Sequence, residues 1–259
     1  MVAINRAIDL LYEGRRQRLV LDPFADDLRP RDPATAYRIA DGVALRLGLP
    51  LGGWKIGATS PKAMEMMGLA EPFVGRIFTP EILRSPARYA LLGSTNNLIE
   101  AEYVALLAHD LPARGRPYDR AEVEQAVASV HIGMEIAQPR FRSALATDAF
   151  SVMADNGSNA GEVIGAAVTD WHRADLAGQA VAIRVNGVTV TEGHGGNVMG
   201  HPMNALTWLA NQRISCGDWL RAGQVISTGS CAGVAWLKPG DRAEADFGPV
   251  GIATLDATA

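Results

Sequence analysis

The chain has 259 residues, 48% of them hydrophobic and 20% charged, with a formal net charge of −4 at pH 7. That balance supports a substantial buried core and excludes disordered and fibrous classes, while the scattered Lys and Arg residues lack the basic footprint that a nucleic-acid partner requires. No apolar run reaches the roughly 18 residues of a spanning helix, the N-terminus mixes charges into its apolar positions, and Cys216 and Cys231 lack disulfide-framework or metal-ligand spacing, so a cytoplasmic protein with no membrane segment is expected.

Ile4, Ala7, Ile8 and Leu11 share one side of a first helix, with Arg15, Arg16 and Arg18 near its C-terminal end. A second starts at Asp32-Pro33, an N-cap followed by proline in the first turn, buries Ala36, Ile39, Ala40, Val43 and Leu47, and stops at Gly48. Asp119-Arg120-Ala121-Glu122 has capping-box spacing, and Val123, Ala126, Val127 and Val130 repeat at i, i+3, i+4 and i+7, which predicts a third helix through Val130. His131 to Ile136 then reads as a buried strand. Val181, Ile183 and Val185 alternate up to Asn186-Gly187, and Val188 and Val190 alternate away from it, a hairpin pattern. A fourth helix is expected over 202–211, with short β runs over 224–228 and 242–255. There is no regular alternation of strand and helix and no internal repeat, so the expectation is an α+β chain with a mixed β-rich core. The best boundary falls over 85–94, giving an N-terminal helical α/β segment (1–85) and a β-rich core carrying the chemistry (86–259), the two able to behave as one domain.

The most informative local pattern is Ile99-Glu100-Ala101-Glu102, because strand geometry sends Glu100 and Glu102 to one face. Adjacent carboxylates repel unless a cation sits between them, and a hard divalent ion is a natural resolution. Taken alone, such a pair reads more often as a solvated strand edge or helix surface. Glu135, in the apolar run Ile132-Gly133-Met134-Glu135-Ile136, needs a partner, and a salt bridge serves as well as a metal. Lys55 stands alone among apolar residues and glycines, where it either snorkels to the surface or meets a substrate carboxylate inside a pocket. Asp155-Asn156-Gly157-Ser158-Asn159 is explained as a polar turn but is rich in donors and acceptors. Gly193-His194-Gly195-Gly196 lacks the spacing of a nucleotide loop. His194 and His201 have no third partner for a zinc site, which leaves both as pocket candidates.

Together, Gly53-Trp54-Lys55-Ile56-Gly57-Ala58-Thr59-Ser60, Ile99-Glu100-Ala101-Glu102, Gly133-Met134-Glu135-Ile136, Asp155-Asn156-Gly157-Ser158 and the run from Gly200-His201-Pro202-Met203-Asn204 to Asn211 resemble, in order and spacing, the hydratase/decarboxylase branch of the fumarylacetoacetate hydrolase superfamily. That branch includes 2-keto-4-pentenoate hydratases and 4-oxalocrotonate decarboxylases of aromatic-compound degradation. The resemblance implies a mixed β-rich roll or barrel of the fumarylacetoacetate hydrolase C-terminal-domain type with an N-terminal α/β segment. It further implies Mg²⁺ or Mn²⁺ held by Glu100, Glu102 and Glu135, and a homo-oligomer. Lys55 becomes the group that meets the substrate carboxylate or shuttles protons, and Asp155 and Ser158 become catalytic-pocket residues. Thr59, Ser60, Arg76, Glu81 and His194 are the expected substrate contacts, Glu81 because Thr79-Pro80-Glu81 stands where hydratases of the branch tend to carry an aspartate.

The implied activity is hydration of a 2-hydroxy-2,4-dienoate to a 4-hydroxy-2-oxo acid, since a metal-chelated 2-oxo acid stabilises the enolate that tautomerisation and water addition require. The same site would serve decarboxylation of a 2-oxo dicarboxylate, for which Arg76, Arg140 and Arg142 could meet the second carboxylate, or C–C hydrolysis. A non-catalytic subunit associated with a pathway hydratase or decarboxylase is the alternative from another class.

Overall fold

The computed structural model describes residues 2–92, 97–142 and 147–259. The chain opens with α1 (Val2–Arg16), α2 (Pro33–Leu47), β1 (Leu51–Gly57), α3 (Pro61–Met67), β2 (Phe73–Phe78), β3 (Ile82–Arg84) and β4 (Ala87–Ala90). β5 (Asn97–Leu107), α4 (Arg120–Gln125), β6 (Val127–Ala137), α5 (Ala149–Ala154) and β7 (Asn159–Ala167) follow. The remainder is β8 (Ala180–Val185), β9 (Val188–His194), α6 (Pro202–Ser215), β10 (Val225–Leu237), β11 (Arg242–Asp246) and β12 (Ile252–Thr258). The helix ends obey local chemistry: the Asp32 side chain accepts from the Thr35 amide at the start of α2, and Gly48 closes it at φ 62°.

Seven strands form one sheet in the order β2-β1-β10-β5-β6-β7-β3, and five form a second in the order β4-β12-β11-β8-β9. The edge strands β2 and β3 are joined by a single 3-10 turn, Thr79–Glu81. Their closeness in the chain curls the seven-stranded sheet into a half-barrel. Alternation then divides the side chains. Ile99, Ala101, Tyr103, Ile132, Met134 and Ile136 face outward and share one core with Val181, Ile183, Ala243, Ala245, Ala253 and Leu255 of the second sheet. The inner face carries the glutamates, above a small apolar floor of Ile77, Val104, Ile164 and Val225.

The α+β class and the β8–β9 hairpin agree with the sequence, but the third helix does not. α4 ends at Gln125, and Val127 and Val130 instead pair with Leu107 and Ala105 in the sheet. Val123, Ala126, Val127 and Val130 are all buried, so the apolar spacing marks real core positions spread over two elements, the β-branched valines going to the strand. The boundary expected over 85–94 falls at β4. β1 pairs with β10 and β3 with β7, so a cut near residue 85 runs through a continuous sheet; positions 93–96 lie outside the described residues. The N-terminal segment keeps its own small core, in which Ala7, Ile8, Leu11, Ala36, Ile39 and Val43 pack with Met153 of α5. Among the described residues no helix is long and apolar enough to cross a membrane.

Candidate metal centre

Glu100 and Glu102 project from β5 onto the inner face, and the antiparallel register places Glu135 of β6 opposite Glu100. One carboxylate oxygen from each lies within 4.8 Å of the others. Glu102 and Glu135 are fully buried and Glu100 partly so. Glu102 Oε2 accepts hydrogen bonds from Ser227 Oγ at 2.5 Å and the Gly229 amide at 2.7 Å. Glu135 Oε1 accepts from Asn159 Nδ2 at 3.0 Å and lies 3.3 Å from Lys55 Nζ. The second oxygens, Glu102 Oε1 and Glu135 Oε2, are buried with no hydrogen-bond partner.

Such a cluster is electrostatically incomplete. Burial, then the Glu135 carboxylate, pushes Glu100 up to about 7, and burial with repulsion from Glu135, Glu100 and Glu162 holds Glu102 well above the ordinary carboxylate range. For Lys55, burial disfavours the ammonium, yet the charges of Glu135, Glu100 and Glu102 outweigh it and keep the pKa above the usual lysine value. A hard divalent cation takes oxygen ligands at roughly 2.0–2.6 Å, a geometry that three oxygens within 4.8 Å of one another can meet. It would also give the two orphaned oxygens a partner, so the donor set fits such an ion.

Lys55 reaches this face because β1 alternates, sending Trp54 outward and Lys55 inward, in register with Ser227. It is 3% exposed. Its stem runs beneath the turn Asn156–Ser158, whose three residues take φ of 58°, 63° and 63°. Asn156 pins that turn to the backbone of Arg76, accepting from its N–H at 2.7 Å and donating to its carbonyl at 2.9 Å. A Cβ at Gly157 would lie 2.6 Å from Lys55 Cε. Glycine there satisfies the left-handed backbone and the close approach together.

The other expected contacts separate by position. Thr59 is buried against Gly229, whose amide binds Glu102, whereas the Ser60 hydroxyl caps α3 by accepting from the Ala63 amide at 3.1 Å. Ser158 is buried, with its backbone bound to the Asp155 carbonyl and the Gln138 amide. Asp155 is directed away from the glutamates into a second polar group, accepting from the Arg140 amide at 3.0 Å and pairing with Arg15 at 3.4 Å. Burial raises its pKa against the opposing pull of those arginines. Glu81, also raised by burial, lies within the influence of the same Arg15 and Arg140. Arg76 is opposite Trp54 in the β1–β2 ladder, which turns it to the outer face, where it pairs with Asp41 and lies over the indole. Its neighbour Gly75, opposite Lys55, holds the inward position. His194 is exposed at the end of β9, its Nδ1 3.3 Å from the Ala177 carbonyl, and His201 caps α6. The structure thus brings Glu100, Glu102, Glu135, Lys55 and Thr59 to one place, and leaves Ser60, Arg76 and His194 engaged elsewhere.

Sequence reasoning missed Glu162. Register carries the row from Glu100 through Glu135 to Glu162 on β7, and Glu162 is wholly buried with neither carboxylate oxygen hydrogen-bonded. Burial, then Glu135, holds it well above the ordinary carboxylate range. The available signal was the one that singled out Glu135, a lone charge in an apolar run, here Ala160-Gly161-Glu162-Val163-Ile164.

Known proteins share this architecture. A 2-hydroxyhexa-2,4-dienoate hydratase of Comamonas testosteroni is 31% identical over 254 residues, covering 96% of this chain and 95% of its own. A 2-keto-4-pentenoate hydratase of Paraburkholderia phymatum is 28% identical over 231 residues, covering 88% and 87%. Among solved structures, 4-oxalocrotonate decarboxylase from Pseudomonas putida G7, complexed with magnesium and adipate, superposes with a TM-score of 0.89 at 23% identity over 98% of this chain and 97% of its own. Fumarylpyruvate hydrolase from Pseudomonas aeruginosa, in complex with Mn²⁺ and pyruvate, gives 0.60 at 16% identity over 81% and 91%. Residues 77–258, which hold Glu100, Glu102, Glu135 and Glu162, match the fumarylacetoacetate (FAA) hydrolase C-terminal family, and the chain belongs to that family.

Proposed function

We propose that this protein is a hydro-lyase that uses Mg²⁺ or Mn²⁺, held by Glu100, Glu102 and Glu135, to convert a 2-hydroxy-2,4-dienoate into a 4-hydroxy-2-oxo acid. The observation that carries this reading is the buried triad of carboxylates with Lys55 Nζ 3.3 Å from Glu135, in a chain whose relatives are named as hydratases of such dienoates. When bound, the cation would supply Lewis acidity that stabilises an enolate of a 2-oxo acid.

The chain's own residues supply the rest. Ser227 and the Gly229 amide fix one oxygen of Glu102 and so aim the other. Asn159 does the same for Glu135. Lys55 holds its proton on Nζ beside Glu135, where its ammonium pairs with the substrate carboxylate. Ketonisation of the dienol takes a proton from the 2-hydroxyl and delivers one to C5, and addition of water then places hydroxyl on C4 and a proton on C3. Protonated, Lys55 Nζ is suited to donate the proton that goes to C5. The floor of Ile77, Val104, Ile164 and Val225 is closed to bulk water and strengthens every charge interaction above it.

A monocarboxylate suits the arginines better than a dicarboxylate. Arg76 is turned outward to Asp41, Arg142 pairs with Asp22 at the surface, and Arg140 lies with Arg15 and Asp155. The cation-loaded protein should therefore consume 2-hydroxypenta-2,4-dienoate, seen as loss of dienol absorbance with formation of a 4-hydroxy-2-oxo acid. CO₂ release from a 2-hydroxymuconate-type dicarboxylate without hydration of the pentadienoate would replace the hydratase reading with a decarboxylase.

A further inference from the structure

We propose that Glu162 is a fourth carboxylate of the cation chamber, acting from behind Glu102 to tighten the hold on the ion. The inference rests on the proposed cation site and adds a residue to it. Cross-strand register puts Glu162 on the same face as Glu100 and Glu135. Its side chain leans over Gly133, where Glu162 Oε1 lies 3.0 Å from the position a Cβ would take. Gly133 is itself the register partner of Glu102. A side chain at 133 would block this lean, so the glycine opens the passage from Glu162 toward Glu102. Ser227 donates its hydroxyl to Glu102 and not to Glu162.

Glu162 has no structural employment to account for it. Both oxygens are buried without a hydrogen-bond partner, and the residue is 0% exposed. A buried anion left unpaired is a strong liability. The nearby positive group is Lys55, which is already engaged by Glu135. A cation among the other three glutamates is the partner the position lacks. Glu162 need not touch that ion, since an outer carboxylate that orients or electrostatically supports a ligand changes metal affinity by roughly 10–100-fold. It is a positioning residue in this account.

The test is calorimetric titration of Mn²⁺ into chelator-stripped protein, substrate absent, for the unaltered chain, Glu162→Gln and Glu162→Met. Both variants should bind Mn²⁺ at least ~10-fold more weakly. Melting temperatures supply a readout that a purely structural role would not reproduce: without cation both variants should melt higher than the unaltered protein, because a buried carboxyl without a hydrogen-bond partner is gone, and Mn²⁺ should raise their melting temperatures less. Equal affinities across the three proteins would overturn the role of Glu162 and leave the proposed function standing. Lower melting temperatures for both variants, with and without Mn²⁺, would also overturn it by making Glu162 a packing residue. Failure of the unaltered protein to bind Mn²⁺ would defeat the cation site itself.

Discussion

Replacing Glu102 by glutamine is expected to weaken binding of Mg²⁺ or Mn²⁺ by at least ~100-fold and to lower dienoate turnover by about 10³, the rate equivalent of losing ~4 kcal/mol of Lewis-acid stabilisation. Glutamine keeps an acceptor for Ser227 and the Gly229 amide but offers the ion no charge. Folding should survive, because the substitution removes repulsion from a group that burial and its neighbours already push toward the protonated form. The effect has a pH signature. In the cation-free fold Glu100 is raised to about 7 from 4.5, so the folded state holds a proton that the unfolded chain has released. Its contribution to stability is complete below 4.5 and is lost as the pH rises through about 7. Cation-free protein should accordingly melt lower at pH 8 than at pH 5, and added cation should raise the melting temperature more at pH 8, where Glu100 has already released its proton. Scanning calorimetry with and without cation at the two pH values checks both signs. An activity loss confined to a few-fold in Glu102→Gln would remove Glu102 from the ligand set.

Lys55→Met should behave differently. Turnover is expected to fall by about 10²–10⁴, the range for loss of a positioned acid–base group, while cation affinity holds or tightens, since the substitution removes a positive charge 3.3 Å from Glu135. The split between turnover and cation affinity separates the two residues: Glu102→Gln loses both, Lys55→Met only one. Metal titration alongside steady-state kinetics makes the comparison. A parallel loss of cation binding in Lys55→Met would reassign the lysine to holding Glu135 in place.

Much of this site was legible in the sequence because a strand has a strict period. Glu100 and Glu102 are two residues apart, so whichever way β5 faced they had to face together. The same parity, applied across the β1–β2 ladder, puts Lys55 on the inner face and Arg76 on the outer one, but the pairing of Trp54 with Arg76 is a fact of register. Sequence gives alternation within a strand and leaves the cross-strand partner open. Glu162 escaped for that reason: its approach to the triad depends on β7 lying beside β6 and on the empty position at Gly133. The resemblance made Asp155 a pocket residue; its turn flanks Lys55, and its carboxylate pairs with Arg15 from α1, a contact spanning 140 residues of sequence. Val127 and Val130 show the converse limit. An apolar spacing compatible with a helix identified buried positions while mistaking the element, since packing in the sheet decided where the helix ended.

The most direct measurement of the central claim is turnover of 2-hydroxypenta-2,4-dienoate by protein stripped with a chelator, before and after Mg²⁺ or Mn²⁺ is restored. Turnover should vanish on stripping and return with the cation, yielding a 4-hydroxy-2-oxo acid. Undiminished turnover by the stripped protein would contradict a cation site built from Glu100, Glu102 and Glu135.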